Sequence, residues 1–255
     1  MTFGNTFPAI SLTSFYHFDT CPSTNDTAFE KLIEDEHAFV WTENQTKGRG
    51  SRGRSWTSPQ NASLAFSMGW KKGPSPADFP YPIFGGVFAY NVLVNLCPSI
   101  KRDLKLKWPN DVLLKGKKLC GILCESKWKG TSEVQTVVGV GMNLKNHAAL
   151  QLIEQPTTTL EAYGFSLSAD HIVEEAHAEL QRSHSLQPQS INQLWLEASI
   201  WKIGTRLKIS DGDTDTEGHF AGLSTQGAFL LHCLNGEAIE IHHAGANFKV
   251  TVQSQ

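Results

Sequence analysis

The segment Lys47-Gly48-Arg49-Gly50-Ser51-Arg52-Gly53-Arg54-Ser55-Trp56 constrains this chain more than any other. Four cations and three glycines fall within residues 47–54 of a chain whose net charge is −3. Glycine frees the backbone to turn and lets its N–H groups approach an anion closely. Arginine adds forked donors that match phosphate or carboxylate. Such a loop suits a triphosphate or an acyl phosphate; a solvated Arg-Gly loop that touches RNA, or nothing, has the same composition. Gly48, Gly50 and Gly53 satisfy G-x-G-x-x-G, but that fingerprint must open a helix. Here Trp56-Thr57-Ser58-Pro59-Gln60-Asn61 leads into a strand pattern, so the dinucleotide reading is rejected. A P-loop pattern is absent as well.

Strands and helices can be placed around that loop. Ser23–Asp35 reads as a helix, with Ser23 and Asp26 in capping-box spacing and Phe29, Leu32 and Ile33 on one face. Ala38–Thr42 and Ser63–Trp70 read as strands flanking the loop. Lys72–Pro82 contains four prolines and a glycine and reads as a loop. The helix after it is apolar on several faces, which predicts burial. Leu104–Trp108, Leu119–Ser126 and Val134–Gly141 read as strands. Val173, Ala176 and Leu180 mark one later helix; Ile191, Leu194, Trp195 and Ala198 mark another. From about Lys202, short strand patterns alternate with Gly, Asp and Asn turns, which predicts a small β-barrel of about 50 residues. The expected division is therefore a mixed α/β main domain over residues 1–201 and a small β domain over 202–255.

Composition narrows the class. With 255 residues, 40% apolar and 18% charged, the chain supports an ordinary hydrophobic core. The balance of 22 Lys+Arg against 25 Asp+Glu opposes a basic coat for nucleic acid. No apolar run is long enough for a membrane span, and the first fifteen residues lack the basic and apolar regions of a signal peptide. Five cysteines without a CxxC pair suggest reduced thiols in a cytoplasmic setting.

A second constellation lies farther on. Lys107-Trp108-Pro109-Asn110-Asp111 ends one strand and Lys117-Lys118-Leu119-Cys120-Gly121-Ile122 begins the next, with Gly116 in the turn. A hairpin there sets Asp111 and Lys118 at comparable heights. In acyl-adenylate chemistry a lysine can neutralise charge on an α-phosphate, and an aspartate can orient or deprotonate an amine. A surface hairpin with a weak ion pair has the same local sequence.

Taken in order, these segments resemble the biotin–protein ligases. GRGSRGRSW resembles their biotin and adenylate loop, KWPNDV with KKLCGIL their second signature, Ser23-Thr24-Asn25 the opening of the biotin pocket, and Gly139-Val140-Gly141-Met142-Asn143 a Gly-x-Gly-x-Asn strand end. The resemblance implies an α+β fold. Its parts would be a mixed β-sheet with helices, the class II synthetase-like catalytic domain of biotin and lipoate ligases, and a C-terminal SH3-like β-barrel. It implies activation of biotin by ATP, with Mg2+, to biotinyl-5′-AMP. Transfer to one lysine of a biotin carboxyl carrier protein, of acetyl-CoA carboxylase or another biotin-dependent carboxylase, would follow. Lipoate or octanoate ligases and transferases share a related fold but lack the Arg-Gly loop and the KWPND run.

The resemblance also implies residue roles. Lys118, Asp111 and Arg49 would carry the chemistry, Lys118 on the biotin carboxylate and α-phosphate, Asp111 on the acceptor lysine. Ser23, Thr24, Asn25 and Gln45 would contact biotin, with Gly48, Arg49, Gly50 and Ser51 covering it. Gly121 and Gly139 would let the ligand lie on the sheet. Arg52, Arg54, Trp56, Lys107, Asn110 and Asn143 would serve ATP or the adenylate. Ser51 stands where bifunctional members carry an arginine that helps retain the adenylate, and Lys249 is the cation offered by the C-terminal tail. About 22 residues precede Ser23, too few for the helix-turn-helix of those members, so no DNA partner is expected. Monomer and homodimer both remain open. No metal site is expected: Asp211–Glu217 lacks the EF-hand glycine and glutamate, and His219, His232, Cys233, His242 and His243 lack ligand spacing.

Overall fold

The structure, a computed structural model, describes residues 14–129, 133–211, 214–245 and 248–253. Residues 1–13, most of the stretch expected to lack a signal peptide, and Asp213 of the acidic turn lie outside the described residues. The N-terminal part contains β1 (Phe15–His17), α1 (Thr24–Lys31), β2 (His37–Thr42), β3 (Ser63–Trp70) and α2 (Tyr81–Leu96). It continues through β4 (Leu104–Lys107), β5 (Asp111–Leu114), β6 (Lys117–Lys129), β7 (Glu133–Asn143), α3 (Ala148–Gln151), α4 (Ala169–Ser183) and α5 (Pro188–Ala198). Seven strands form one sheet in the order β1-β2-β3-β7-β6-β5-β4, with β1 parallel to β2 and the other pairs antiparallel. This is a mixed α+β arrangement.

Period-two alternation sorts each central strand into two faces. Leu64, Phe66 and Met68 of β3 and Val138, Val140 and Met142 of β7 join the main core with α2, α4 and α5. The opposite face carries a smaller cluster, in which Ala28 and Phe29 of α1 and its C-cap Leu32 cover Ala38, Val40 and Val137. Beyond α1 that second face is open. Helix α2 is apolar all round because it is buried between sheet and helices, and it approaches the sheet closely at Gly85. A Cβ there would fall 2.7 Å from Ile122 Cγ2 and 2.8 Å from Val138 Cγ1.

The C-terminal strands are β8 (Arg206–Asp211), β9 (Thr214–Leu223), β10 (Phe229–Cys233), β11 (Ala238–Ile241) and β12 (Lys249–Val252). They form a five-stranded antiparallel sheet in the order β11-β10-β9-β8-β12. Among the described residues no ladder joins β11 to β12. The main core continues into this sheet through Trp108, Trp201, Leu207, Phe220, Phe229 and Leu231. Trp108 packs against Phe229 and Phe248, and its Nε1 donates to the Gly227 carbonyl at 3.0 Å.

Three sequence expectations change. The first helix is Thr24–Lys31, shorter than Ser23–Asp35, and the Ser23 side chain makes no capping hydrogen bond. The Lys107–Lys118 hairpin contains an additional strand, β5, reached through the cis Trp108–Pro109 bond; the turn into β6 is Lys115-Gly116, both at positive φ. Cys124 is only partly buried, whereas Cys120 is fully so. The five cysteines form no disulfide, and among the described residues no helix is long and apolar enough to cross a membrane.

The close approach at Gly85 gives a contrast within α2. Gly85→Ala should lower stability by roughly 1–3 kcal/mol, the cost of overpacking a filled core. Gly86→Ala, whose nearest contact would be 3.7 Å away, should be neutral or stabilise by about 0.5–1 kcal/mol through helix propensity. Urea unfolding of the two variants checks this ordering.

Candidate active site

The open face of the sheet has a floor made mostly of small residues, with Leu123 at one corner. Ala65, Gly141 and Gly121 form one row across β3, β7 and β6; Ser67, Gly139 and Leu123 form the next. At its three glycines the floor admits other groups to the backbone. A Cβ on Gly139 would lie 2.2 Å from Asn25 Oδ1. One on Gly141 would lie 2.3 Å from Trp56 Cε2, and one on Gly121 would lie 2.8 Å from Trp56 Cζ3. Above this floor is a cavity of about 650 Å³, within the range of sites that enclose a small organic ligand.

One wall is polar. Gln45 Oε1 accepts from the Thr24 N–H at 2.8 Å and lies 3.2 Å from the Thr24 hydroxyl oxygen. The Ser67 oxygen is 2.7 Å from both Thr24 Oγ1 and Asn25 Oδ1. Ser67 has one proton, and Asn25 Oδ1 only accepts, so Ser67 donates to Asn25 and can accept from Thr24. Asn25 Nδ2 donates to the Leu123 carbonyl at 3.2 Å and to Glu125 Oε2 at 2.7 Å. Ser23 borders the cavity and is 3% exposed; its carbonyl accepts from the Thr27 hydroxyl.

The Arg-Gly loop folds over the cavity as a small hairpin. Gly50 N–H donates to the Arg54 carbonyl at 2.7 Å and Trp56 N–H to that of Gly48 at 2.9 Å. The turn spans Ser51–Gly53, with Arg52 (φ 63) and Gly53 (φ 70) in the left-handed region. Arg54 donates to the Ser51 carbonyl and hydroxyl, both at 3.3 Å. Arg49 instead turns toward α1 and β6. It donates to Asp26 at 2.5 and 2.8 Å and to Glu125 at 2.9 and 3.2 Å. The hydrogen bond to Arg49 holds the Asp26 carboxyl below its ordinary value, and the same bond raises Arg49.

The far wall is built by the β5–β6 hairpin and residues 152–158. Lys118 Nζ lies 2.5 Å from Asp111 Oδ1, with both side chains mostly buried. Gln155 donates to Asp111 Oδ2 at 3.1 Å. Lys118 N–H donates to the Pro156 carbonyl, and Thr158 N–H donates to that of Lys118, which ties the segment to β6. Lys118 Nζ is also 5.7 Å from the Trp56 ring centre. Asn110 Nδ2 donates to the Ile122 carbonyl at 2.7 Å, and Ile122 N–H returns a bond to Asn110. Trp56 Nε1 and Asn143 Oδ1 are buried at the cavity without a hydrogen-bond partner, so a ligand with matching groups could satisfy both.

Most residues singled out from the sequence border this cavity: Ser23, Thr24, Asn25, Gln45, Arg49, Gly50, Ser51, Arg54, Trp56, Asn110, Lys118, Gly121, Gly139 and Asn143. Asp111 stands behind Lys118 as its partner. Lys107 pairs across strands with Asp111 and shares its face, outside the lining. Arg52 is exposed at the turn, also outside the lining. Gly48 borders a neighbouring open groove of about 430 Å³ with Lys47 and His147. Lys249 is exposed at the start of β12. Sequence reasoning missed Asp26 as a partner of Arg49, and it missed Glu125, Ser67 and Gln155; Gly141 stood in the Gly-x-Gly-x-Asn strand end without a role of its own. The signal for the floor was there: Ser63, Ala65, Ser67 and Gly69 alternate with large residues along β3.

Comparison with known proteins agrees with this geometry. Residues 18–143 match the biotin/lipoate A/B protein ligase family. The bifunctional ligase/repressor BirA of Salmonella typhimurium is 34% identical over 219 residues, covering 82% of this chain and 66% of that protein. The biotin–acetyl-CoA-carboxylase ligase of Paracoccus denitrificans is 28% identical over 204 residues, covering 76% and 83%. A solved structure of the biotin protein ligase from Aquifex aeolicus in complex with biotin and ATP superposes with a TM-score of 0.71 at 24% identity, covering 95% of this chain and 100% of that one. Residues 18–143 of the chain are a biotin/lipoate A/B protein ligase family domain. The chain spans 66% of the length of the Salmonella and Escherichia coli bifunctional relatives.

The Asp26–Arg49 pair has a pH signature. Because the folded Asp26 value is lowered, the pair's stabilisation is complete above the ordinary carboxylate value and is lost as pH falls through the folded one. Arg49→Ala removes the main cause, so Asp26 should titrate at higher pH in that variant. A carboxyl-carbon NMR titration checks this, and an unmoved midpoint would contradict the pairing.

Proposed function

We propose that this chain is an ATP-dependent biotin–protein ligase. It activates biotin as biotinyl-5′-AMP, releasing pyrophosphate, and transfers biotin to a lysine of a biotin carboxyl carrier protein, such as that of acetyl-CoA carboxylase. The observation that carries the reading is one cavity with a polar wall at Thr24, Gln45 and Ser67, a bare floor, and the buried Lys118–Asp111 pair at the far wall. The polar wall suits the heteroatoms of a ureido ring; a lipoyl or octanoyl chain would set hydrocarbon against those groups. The floor suits a small bicycle and short chain. Lys118 then stands where a carboxylate meets the α-phosphate, and its charge offsets that of the transition state.

The remaining roles follow from position. Asp111 beside Lys118 accepts the proton of the incoming carrier amine. The Arg-Gly loop covers the mixed anhydride and excludes water. Asn143 Oδ1 and Trp56 Nε1 offer an acceptor and a donor to the adenylate, while Arg52 and Arg54 provide positive charge for the triphosphate. Among the described residues no group of three or more His, Cys, Asp or Glu gathers to hold a metal. Mg2+ therefore fits as an ion carried by the triphosphate oxygens, which is its usual mode with nucleotides. We infer further that residues 1–201 are the catalytic domain and that 202–255 are an SH3-like barrel, supported by the fold likeness over 95% of the chain. We place the protein in the cytoplasm, as its free cysteines suit; monomer and homodimer are both compatible with the reading.

The half-reactions separate the two central residues. Lys118→Ala should reduce biotin-dependent pyrophosphate release by about a hundredfold or more. Asp111 directly pairs Lys118; Asp111→Asn removes the countercharge but keeps the side chain's volume and an oxygen that accepts from Lys118, so it is a cleaner change than Asp111→Ala. It should slow transfer to the carrier at least about tenfold more than adenylation, the scale of lost general-base catalysis. Unchanged pyrophosphate release in folded Lys118→Ala would refute the assignment of Lys118, and equal losses in Asp111→Asn would refute that of Asp111.

A further inference from the structure

Arg49 differs from its neighbours in the loop. Arg52 and Arg54 are exposed, whereas Arg49 leaves the loop to meet carboxylates from two separate elements, Asp26 of α1 and Glu125 of β6. The contacts run through Nη1 and Nη2, so this edge of the guanidinium is committed to two carboxylates and its charge is offset by theirs. That arrangement suits holding the loop in place. Glu125 also accepts from Asn25 at 2.7 Å, and Asn25 is bound to Ser67, which contacts Thr24 and through it Gln45. One unbroken chain of polar contacts thus runs from the loop to the polar wall of the cavity.

We propose that Asp26 and Glu125 are positioning residues. They form a two-carboxylate latch that holds the Arg-Gly loop over the cavity through Arg49. Through Asn25, the latch couples loop closure to the groups on the polar wall. The forked geometry favours one arrangement over a diffuse ion pair. The side chains remain 33–47% exposed, so the latch is of modest strength, as a loop that must open for substrate and product requires. A ligand that engages Thr24, Gln45 or Ser67 shifts the contacts of Asn25 and so biases the latch. The latch rests on geometry alone; its coupling to biotin rests on the ligase reading.

Limited trypsin digestion reads loop opening directly, because the loop contains Lys47, Arg49, Arg52 and Arg54. Asp26→Asn and Glu125→Gln should each be cut within residues 47–54 about tenfold faster than wild type, since cleavage follows the open population. Asp26→Glu, which keeps a carboxylate, should return toward the wild-type rate. Cleavage confined to the loop, with cooperative unfolding retained, distinguishes an opened latch from a damaged fold. Biotin should slow cutting in wild type and slow it less in Glu125→Gln. Wild-type cutting rates in both carboxylate variants would overturn the proposal, as would acceleration spread over the whole chain. If the variants are cut faster in the loop and biotin protects neither them nor wild type, the latch stands and its coupling to biotin fails.

Discussion

The bare floor of the sheet is the constraint on which the rest of the site depends. Six positions on one face of β3, β7 and β6 are Ala65, Ser67, Gly141, Gly139, Gly121 and Leu123. The same strands send Leu64, Phe66, Met68, Val138, Val140, Met142, Cys120 and Ile122 to the other face, where α2 and its neighbours bury them. One sheet therefore has a filled side and a side left for chemistry. Because no side chain stands at Gly139 and Gly141, Asn25 and Trp56 reach the backbone itself. Asn25 can then bond β6, β3 and Glu125 together, and Trp56 can close the loop against the sheet.

Charge is distributed by the same geometry. The chain carries a net charge of −3, yet Arg49, Arg54 and Lys118 line one cavity. Arg49 is neutralised by carboxylates on one side and Lys118 by Asp111 on the other. Arg52 and Arg54 remain at the exposed turn of the loop. Burial of Lys118 with Asp111 makes their mutual field stronger than a surface pair would, and Gln155 fixes the second carboxylate oxygen. Positive charge for an anionic ligand is thus available at the entrance and a charged N–H donor at one inner wall, while the opposite inner wall is a neutral hydrogen-bonding surface.

Local rules made much of this legible in the sequence, and long-range pairing hid the remainder. Ser63–Trp70 could be bounded as a strand because alternation and the flanking turn are local. The buried α2 was legible because an apolar helix on all faces has nowhere else to go. β5 was missed since four residues between Pro109 and Gly116 look like a connection, and β1 since three residues pair in parallel with a distant strand. Asp26 fits the capping spacing, so the local rule assigned it to the helix; its partner Arg49 lies 23 residues away. Glu125 carried no local signal at all. Trp108, grouped with the chemistry of its neighbours, proves to join the two sheets.

The central claim is that this cavity activates one particular acid. Pyrophosphate release with MgATP, compared across biotin, lipoate, octanoate and no acid, tests it most directly. Release that depends on biotin, with the other acids at background, is the result expected from the polar wall at Thr24, Gln45 and Ser67. Release with lipoate or octanoate in place of biotin, or no release with any acid from folded protein, would contradict it.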